Sequence, residues 1–158
     1  MTTPAIVGIV AATFVAMEFV AWFTHKFVMH GFLWYLHSDH HKKDHYGFWE
    51  RNDAFFLIFA IPSMCLFIAG AQLGLHTPWL WIGLGILVYG IAYFIVHEVF
   101  IHQRIKWLRT SNNAYFLGLR RAHKVHHKRI TKEDGECFGM LWVPMKYFAE
   151  AREHLKKR

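Results

Sequence analysis

The sequence is poor in charge where it is rich in apolar side chains. Pro4 to Thr24 carries a single charge, Glu18, while Ala54 to Leu75 and Pro78 to Val96 carry none. Each run is close to the roughly 20 residues that cross a bilayer as a helix. With 54% hydrophobic and 18% aromatic residues in 158 positions, too little polar surface is left to cover three such helices in water. The reading is one all-α integral membrane domain, residues 1–158, with three transmembrane helices at roughly 4–24, 54–75 and 78–97.

Other scarcities exclude more. Lys and Arg are missing from the first 24 residues and from the turn "LHTP" at 75–78; all eighteen stand at Lys26, Lys42, Lys43 and Arg51 or from Arg104 onward. The positive-inside rule then puts the N-terminus and the turn outside and both basic regions in the cytoplasm. The net charge of +7 is accordingly read as a surface beside lipid headgroups, with no nucleic acid as partner. The first run lacks a basic n-region and a small-residue cleavage pattern, so it is expected to stay as an anchor. Two cysteines, Cys65 inside the second crossing and Cys137 beyond the third, make no disulfide framework. Flavin and iron–sulfur motifs are missing as well.

What the chain has in excess is histidine, thirteen in all. Six follow the first crossing (His25, His30, His37, His40, His41 and His45), and His97 and His102 end the third. His123, His126, His127 and His154 lie in the tail, and His76 alone is on the outer side. Three crossings return the loop and the tail to one membrane face, as a histidine-rich helical cap. The stretch "VHEVFIHQR" at 96–104 comes near the H-E-x-x-H of zinc proteases, whose histidines at i and i+4 share a helix face. Five-residue spacing instead turns the rings about 140° apart on a regular α-helix. That geometry is lost.

The order of the histidines repeats. "HKFVMH" precedes "HSDHH", and "HEVFIH" precedes "HKVHH", so H-x4-H followed by H-x2-HH occurs twice. In the second type, positions i, i+3 and i+4 fall within about 100° of one helix face, so three imidazoles point one way. Neutral imidazole binds Zn, Cu, Fe and Ni, and ten rings suit two adjacent ions better than one, since a structural zinc needs four ligands. For the five-residue pairs two arrangements are open. The helix ends are locally irregular, or each pair straddles the site and feeds different ions.

With "MEFVAWFTHKFVMHG", "FWERND", "VHEVFIHQR", "AHKVHH" and "FGMLWVP", this order resembles the bacterial β-carotene hydroxylases of the membrane fatty-acid hydroxylase superfamily, from about Met17 to Pro144. The resemblance implies a non-haem di-iron mono-oxygenase of the bacterial inner membrane, using O2 and electrons from a ferredoxin-type donor. It implies hydroxylation at C3 of each β-ionone ring, from β-carotene through β-cryptoxanthin to zeaxanthin. It also implies ten iron ligands: His25, His30, His37, His40, His41, His97, His102, His123, His126 and His127. His45, His76 and His154 fall outside the motifs, and His45 is the one kept in view. Such chemistry suits a metal, because an unactivated ring methylene offers acid–base side chains neither an acidic proton nor a leaving group.

Residues around the motifs carry further expectations. Glu18 lies seven residues before His25 on nearly the same face, and intramembrane acids are costly and functional, so it is expected to hold a histidine ring through its other nitrogen. Asp39, Asp44, Glu50, Asp53 and Glu98 are candidates for the same work, Asp53 first because "ERND" matches the family. Phe19, Trp22, Phe23, Tyr93, Phe94 and Phe100 are candidate substrate walls, or else helix packing and interfacial anchors. Cys137 to Phe148, broken by Pro144, is too short to cross and reads as an interfacial or re-entrant segment. The basic end "REHLKKR" suits headgroups or an acidic electron donor. Competing functions are a hydroxylase or desaturase of acyl, sterol or sphingoid lipids, a histidine-rich metal transporter or sensor, and a haem carrier.

Overall fold

Apolar length makes three long helical spans, Thr3–Phe32, Arg51–Leu73 and Trp79–Ile101, with mean hydropathies of 2.1, 2.3 and 2.0. They occur in a computed structural model that describes residues 1–42, 47–108 and 110–157. His45 and Asp44 lie outside the described residues. A helix in a water-soluble core hides its apolar face. Here only 11%, 17% and 22% of the residues in the most apolar windows are buried, and Phe19, Phe56, Ile61 and Ile68 point outward. Apolar surface on that scale needs lipid around it, so the chain is an integral membrane protein.

Among the described residues every regular element is helical. Helix α1 (Thr3–Phe23) runs on as a π-helical segment, Thr24–Phe32, which kinks at Gly31 and leads to α2 (Trp34–His41). A single 3-10 turn, Arg51–Ala54, starts α3 (Phe55–Leu73), which ends where Gly74 takes a φ of 94°. Helix α4 (Trp79–Tyr93) likewise continues π-helically over Phe94–Ile101. The first and third spans therefore pass the ends expected near residues 24 and 97. Their hydrogen bonding carries on through the histidines with a wider turn.

Helix α4 packs against both α1 and α3. Small residues set the approach: a Cβ on Gly85 would stand 2.5 Å from Thr13 Cβ, and Ser63 Oγ donates to the Gly83 carbonyl at 2.9 Å. Close backbones and an interhelical hydrogen bond are what hold helices together where lipid is as apolar as the side chains. At the histidine end, α5 (Ala114–His126) pairs with α6 (Met145–Lys156). Asn113 caps α5 by accepting from the Tyr115 and Phe116 amides at 2.9 and 3.3 Å. The short segment from Cys137 divides at Pro144. An irregular strap, with Cys137, Phe138, Met140 and Val143 buried, packs against α5 and α6, and Pro144 then opens α6.

Candidate metal centre

The two π-helical segments answer the five-residue spacing. A π turn bonds residue i to i+5, so residues five apart stand one above the other. The His102 amide donates to the His97 carbonyl at 2.9 Å, and the two ring centroids are 4.6 Å apart. The His25 and His30 rings stand 5.1 Å apart. Of the two arrangements open above, the structure has the irregular helix end, and both members of each pair face one position.

The ten motif histidines gather at one end of the bundle. His25, His30, His37, His41 and His126 bring one ring nitrogen each within 4.8 Å of one another, and so do His40, His97, His102 and His123. The H-x2-HH boxes divide between these groups: His37 and His41 turn to the first and His40 to the second, while His126 crosses from the box of His123 to the first. Three imidazoles of one box therefore do not share one destination, as their helix face had led us to expect. His127 sits at the seam. Its Nε2 is 2.8 Å from His123 Nε2, and its ring stacks on His41 with centroids 4.3 Å apart.

On six of the rings the nitrogen facing away from the group has a partner, whereas His41 Nδ1 is buried without one. His25, His30 and His126 donate from Nδ1 to the carbonyls of Phe138 (3.0 Å), Ile130 (2.9 Å) and Glu136 (3.0 Å). His37 donates to Asn52 Oδ1 at 2.6 Å, His40 to Glu50 at 2.8 Å and His97 to Glu98 at 2.6 Å. A neutral ring that donates from Nδ1 has only a lone pair at Nε2. Yet His25 and His37 bring their Nε2 atoms to 3.1 Å, and His30 and His126 to 3.2 Å. Two acceptors at that distance repel unless a cation stands between them. The Nε2 atoms of His40 and His97 are buried with no hydrogen-bond partner at all. This donor set fits metal ions.

Burial keeps the rings neutral, as a metal ligand must be. Aided by neighbouring imidazoles, it lowers His37 and His126 to about 3, His127 to about 4 and His102 to about 2. His40, His41 and His123 are also held well below the ordinary histidine range by burial first.

Glu18 sits differently from its expectation. Its Oε1 accepts from the amides of Met140, Leu141 and Trp142 at 2.9, 2.8 and 3.0 Å, and its Oε2 accepts from the Tyr89 hydroxyl at 2.8 Å. The partners are the strap and α4, not a ring. An ionised acid within a span costs about 2.5–3.5 kcal/mol on insertion scales. Four hydrogen bonds to a charged acceptor, about 1.5–3 kcal/mol each, offset that. Asp53 is one step further out than expected. It accepts from both ends of the Arg104 guanidinium at 2.7 and 2.9 Å, and Arg104 also donates to Glu98 at 3.0 Å and to the Phe48 carbonyl. Asp39 accepts from the Arg51 amide at 2.6 Å.

Asn52 and the carbonyls of Phe138, Ile130 and Glu136 were missed by the sequence. Asn52 stands inside "ERND" and was open to notice; a carbonyl belongs to every residue and has no letter of its own. Of the six aromatic candidates, Phe19, Phe23 and Phe94 are exposed on the lipid side. Trp22 stacks on Phe19 at 5.6 Å, and Phe100 is buried against Phe116 and beneath the Arg120 guanidinium. Tyr93 alone of the six packs on a motif histidine, His97, with ring centroids 4.8 Å apart.

Two groups of histidines, each able to take a cation, thus stand at the end of a three-helix membrane bundle. The fatty acid hydroxylase family matches residues 10–148, and the chain belongs to that family. It is 37% identical over 138 residues to a β-carotene hydroxylase of Paracoccus sp. (strain PC1), covering 86% of this chain and 83% of the relative. It is 38% identical over 136 residues to the β-carotene hydroxylase of Pantoea ananas, covering 86% and 76%. A chloroplastic β-carotene hydroxylase 1 of Capsicum annuum is 35% identical over 132 residues, 82% of this chain and 41% of the relative. No solved structure gives a significant match to the chain.

Proposed function

We propose that this protein hydroxylates C3 of the β-ionone rings of β-carotene, through β-cryptoxanthin to zeaxanthin, at two histidine-held iron ions. The observation that carries this is the convergence of nine histidines into two groups, with His127 at their seam, at the end of lipid-facing helices, in a chain of this similarity. Each ring would consume O2, two electrons and two protons, adding one oxygen atom to carbon and releasing the other as water. Bound there, iron supplies the oxidising power that an unactivated C–H bond requires.

The chain's own residues hold and aim. The first ion would be taken by His25, His30, His37, His41 and His126, and the second by His40, His97, His102, His123 and His127. Glu50, Glu98, Asn52 and the three carbonyls keep six of the Nε2 lone pairs pointed inward. Tyr93, between the lipid-facing span and His97, is the aromatic candidate for substrate contact. Electrons would come from outside, from a ferredoxin-type donor, since neither Cys65 nor Cys137 joins a group of metal-ligating side chains among the described residues. The split of Lys and Arg supports an N-terminus outside and a histidine end in the cytoplasm.

Expression in a bacterial host that accumulates β-carotene tests the reaction. Zeaxanthin is expected; β-carotene left unchanged, or hydroxylated acyl lipids in place of zeaxanthin, would overturn it. Orientation is tested in a background lacking Cys65 and Cys137. His76→Cys should react with an impermeant thiol reagent on intact cells and Lys132→Cys only after permeabilisation; the reverse pattern sinks the assignment.

A further inference from the structure

We infer that Glu18 is a positioning residue for one ion of the two: by pinning the strap at 140–142 it aims His25 and His126 at the first ion. This rests on the two-ion reading above. The strap is irregular and has no ladder of its own. Three successive amides, Met140, Leu141 and Trp142, converge on the single oxygen Oε1, an arrangement of dipoles that calls for an anion at its focus. The Tyr89 hydroxyl fixes the other oxygen from α4. Gly139 allows the wrap, since a Cβ there would stand 2.9 Å from Oε1.

Just upstream, the same strap meets the first group. The Phe138 carbonyl accepts from His25, and the Glu136 carbonyl accepts from His126. The Phe138 ring packs 5.6, 5.2 and 5.1 Å from the rings of His25, His30 and His126. Since His25 lies on the span that carries Glu18, helix and strap close a circuit around the first ion. Tyr115 adds a bond to the Leu141 carbonyl within the pinned segment, and at the other end of the strap Tyr147 and Lys146 donate to the Glu136 carboxylate. Among the described residues no ring of the second group hydrogen-bonds to the strap; His40 and His97 are held by Glu50 and Glu98. Releasing Glu18 therefore loosens one site and spares the other.

The test is an anaerobic Co(II) titration of the full-length protein in lipid nanodiscs, read by absorption and by metal bound per chain. The wild type should take two Co(II). Glu18→Ala should keep one at wild-type affinity and weaken the other about 10–100-fold. Glu18→Gln, which retains an acceptor oxygen, should recover part of the loss. In a His40→Ala background, which removes the second ion, Glu18→Ala should weaken the remaining one. Gly139→Ala and Tyr89→Phe disturb the clamp without emptying the interior of α1 and should show the same one-sided loss, Tyr89→Phe the smaller. Two Co(II) in the wild type with both or neither weakened in these variants overturns the inference alone. Fewer than two in the wild type overturns the two-ion reading, and this inference with it.

Discussion

The two histidine groups share a sequence pattern and differ in what stands behind it. Behind the first are neutral acceptors: the carbonyls of Phe138, Ile130 and Glu136 and the amide of Asn52. Behind the second are carboxylates, Glu50 on His40 and Glu98 on His97, tied through Arg104 to Asp53. A carboxylate raises the basicity of the ring that donates to it and offsets cationic charge nearby, whereas a carbonyl mainly orients. The repeat thus sets two similar donor sets in unlike electrostatic surroundings. An ion taken by the second group would have the more anionic surroundings.

Replacing the histidine that each H-x2-HH box sends across should have the largest effect. His126→Ala is expected to end hydroxylation and remove the first ion, while His40→Ala removes the second; metal analysis and zeaxanthin formation check both. If His126→Ala and His123→Ala strip the same ion, the division of the boxes is wrong. Next comes Arg104→Met, which leaves the buried Glu98 without its cation. Breaking a buried ion pair costs about 3–5 kcal/mol. Asp53 keeps 25% side-chain exposure, so a loss on the order of 2 kcal/mol in denaturant unfolding is expected, with the second ion weakened and the first retained.

Glu50→Gln and Asn52→Ala sharpen the contrast directly. Glu50→Gln should weaken the second ion about 10–100-fold and Asn52→Ala the first by about tenfold, read by Co(II) titration. Equal effects on both ions from either variant would show the two shells to be one network. The smallest effects are expected at His76 and His154. Both are exposed and outside the groups, so Ala at either position should change stability by less than about 0.5 kcal/mol and leave hydroxylation as it is.

The membrane spans were legible because apolar length is a one-dimensional property, and Ala54 to Leu75 needs no partner to be read. The ten histidines were legible from their doubled spacing. Their allocation was not, since an ideal α-helix puts His37, His40 and His41 on one face, while two groups lying on either side of α2 draw them apart. The five-residue spacing was awkward only on an α-helix. Regular geometry says nothing of a π turn until the ladder at His97 and His102 is seen. Glu18 was noticed for the cost of an acid in lipid, and it does have partners. Its partners were misjudged because backbone amides from residues more than a hundred positions away have no signature in a helix pattern.

By itself the sequence determined the number of crossings, the end of the bundle that holds the imidazoles, and the presence of enough neutral ligands for two ions. These depend on composition and spacing along the chain, which local physics converts directly into helices and faces. Only the tertiary structure decided which ring serves which group, which rings lean on carbonyls and which on carboxylates, and that Glu18 grips the strap. Those outcomes are contacts between segments far apart in the chain, and they come into being only when packing brings the backbone's anonymous donors and acceptors to named side chains.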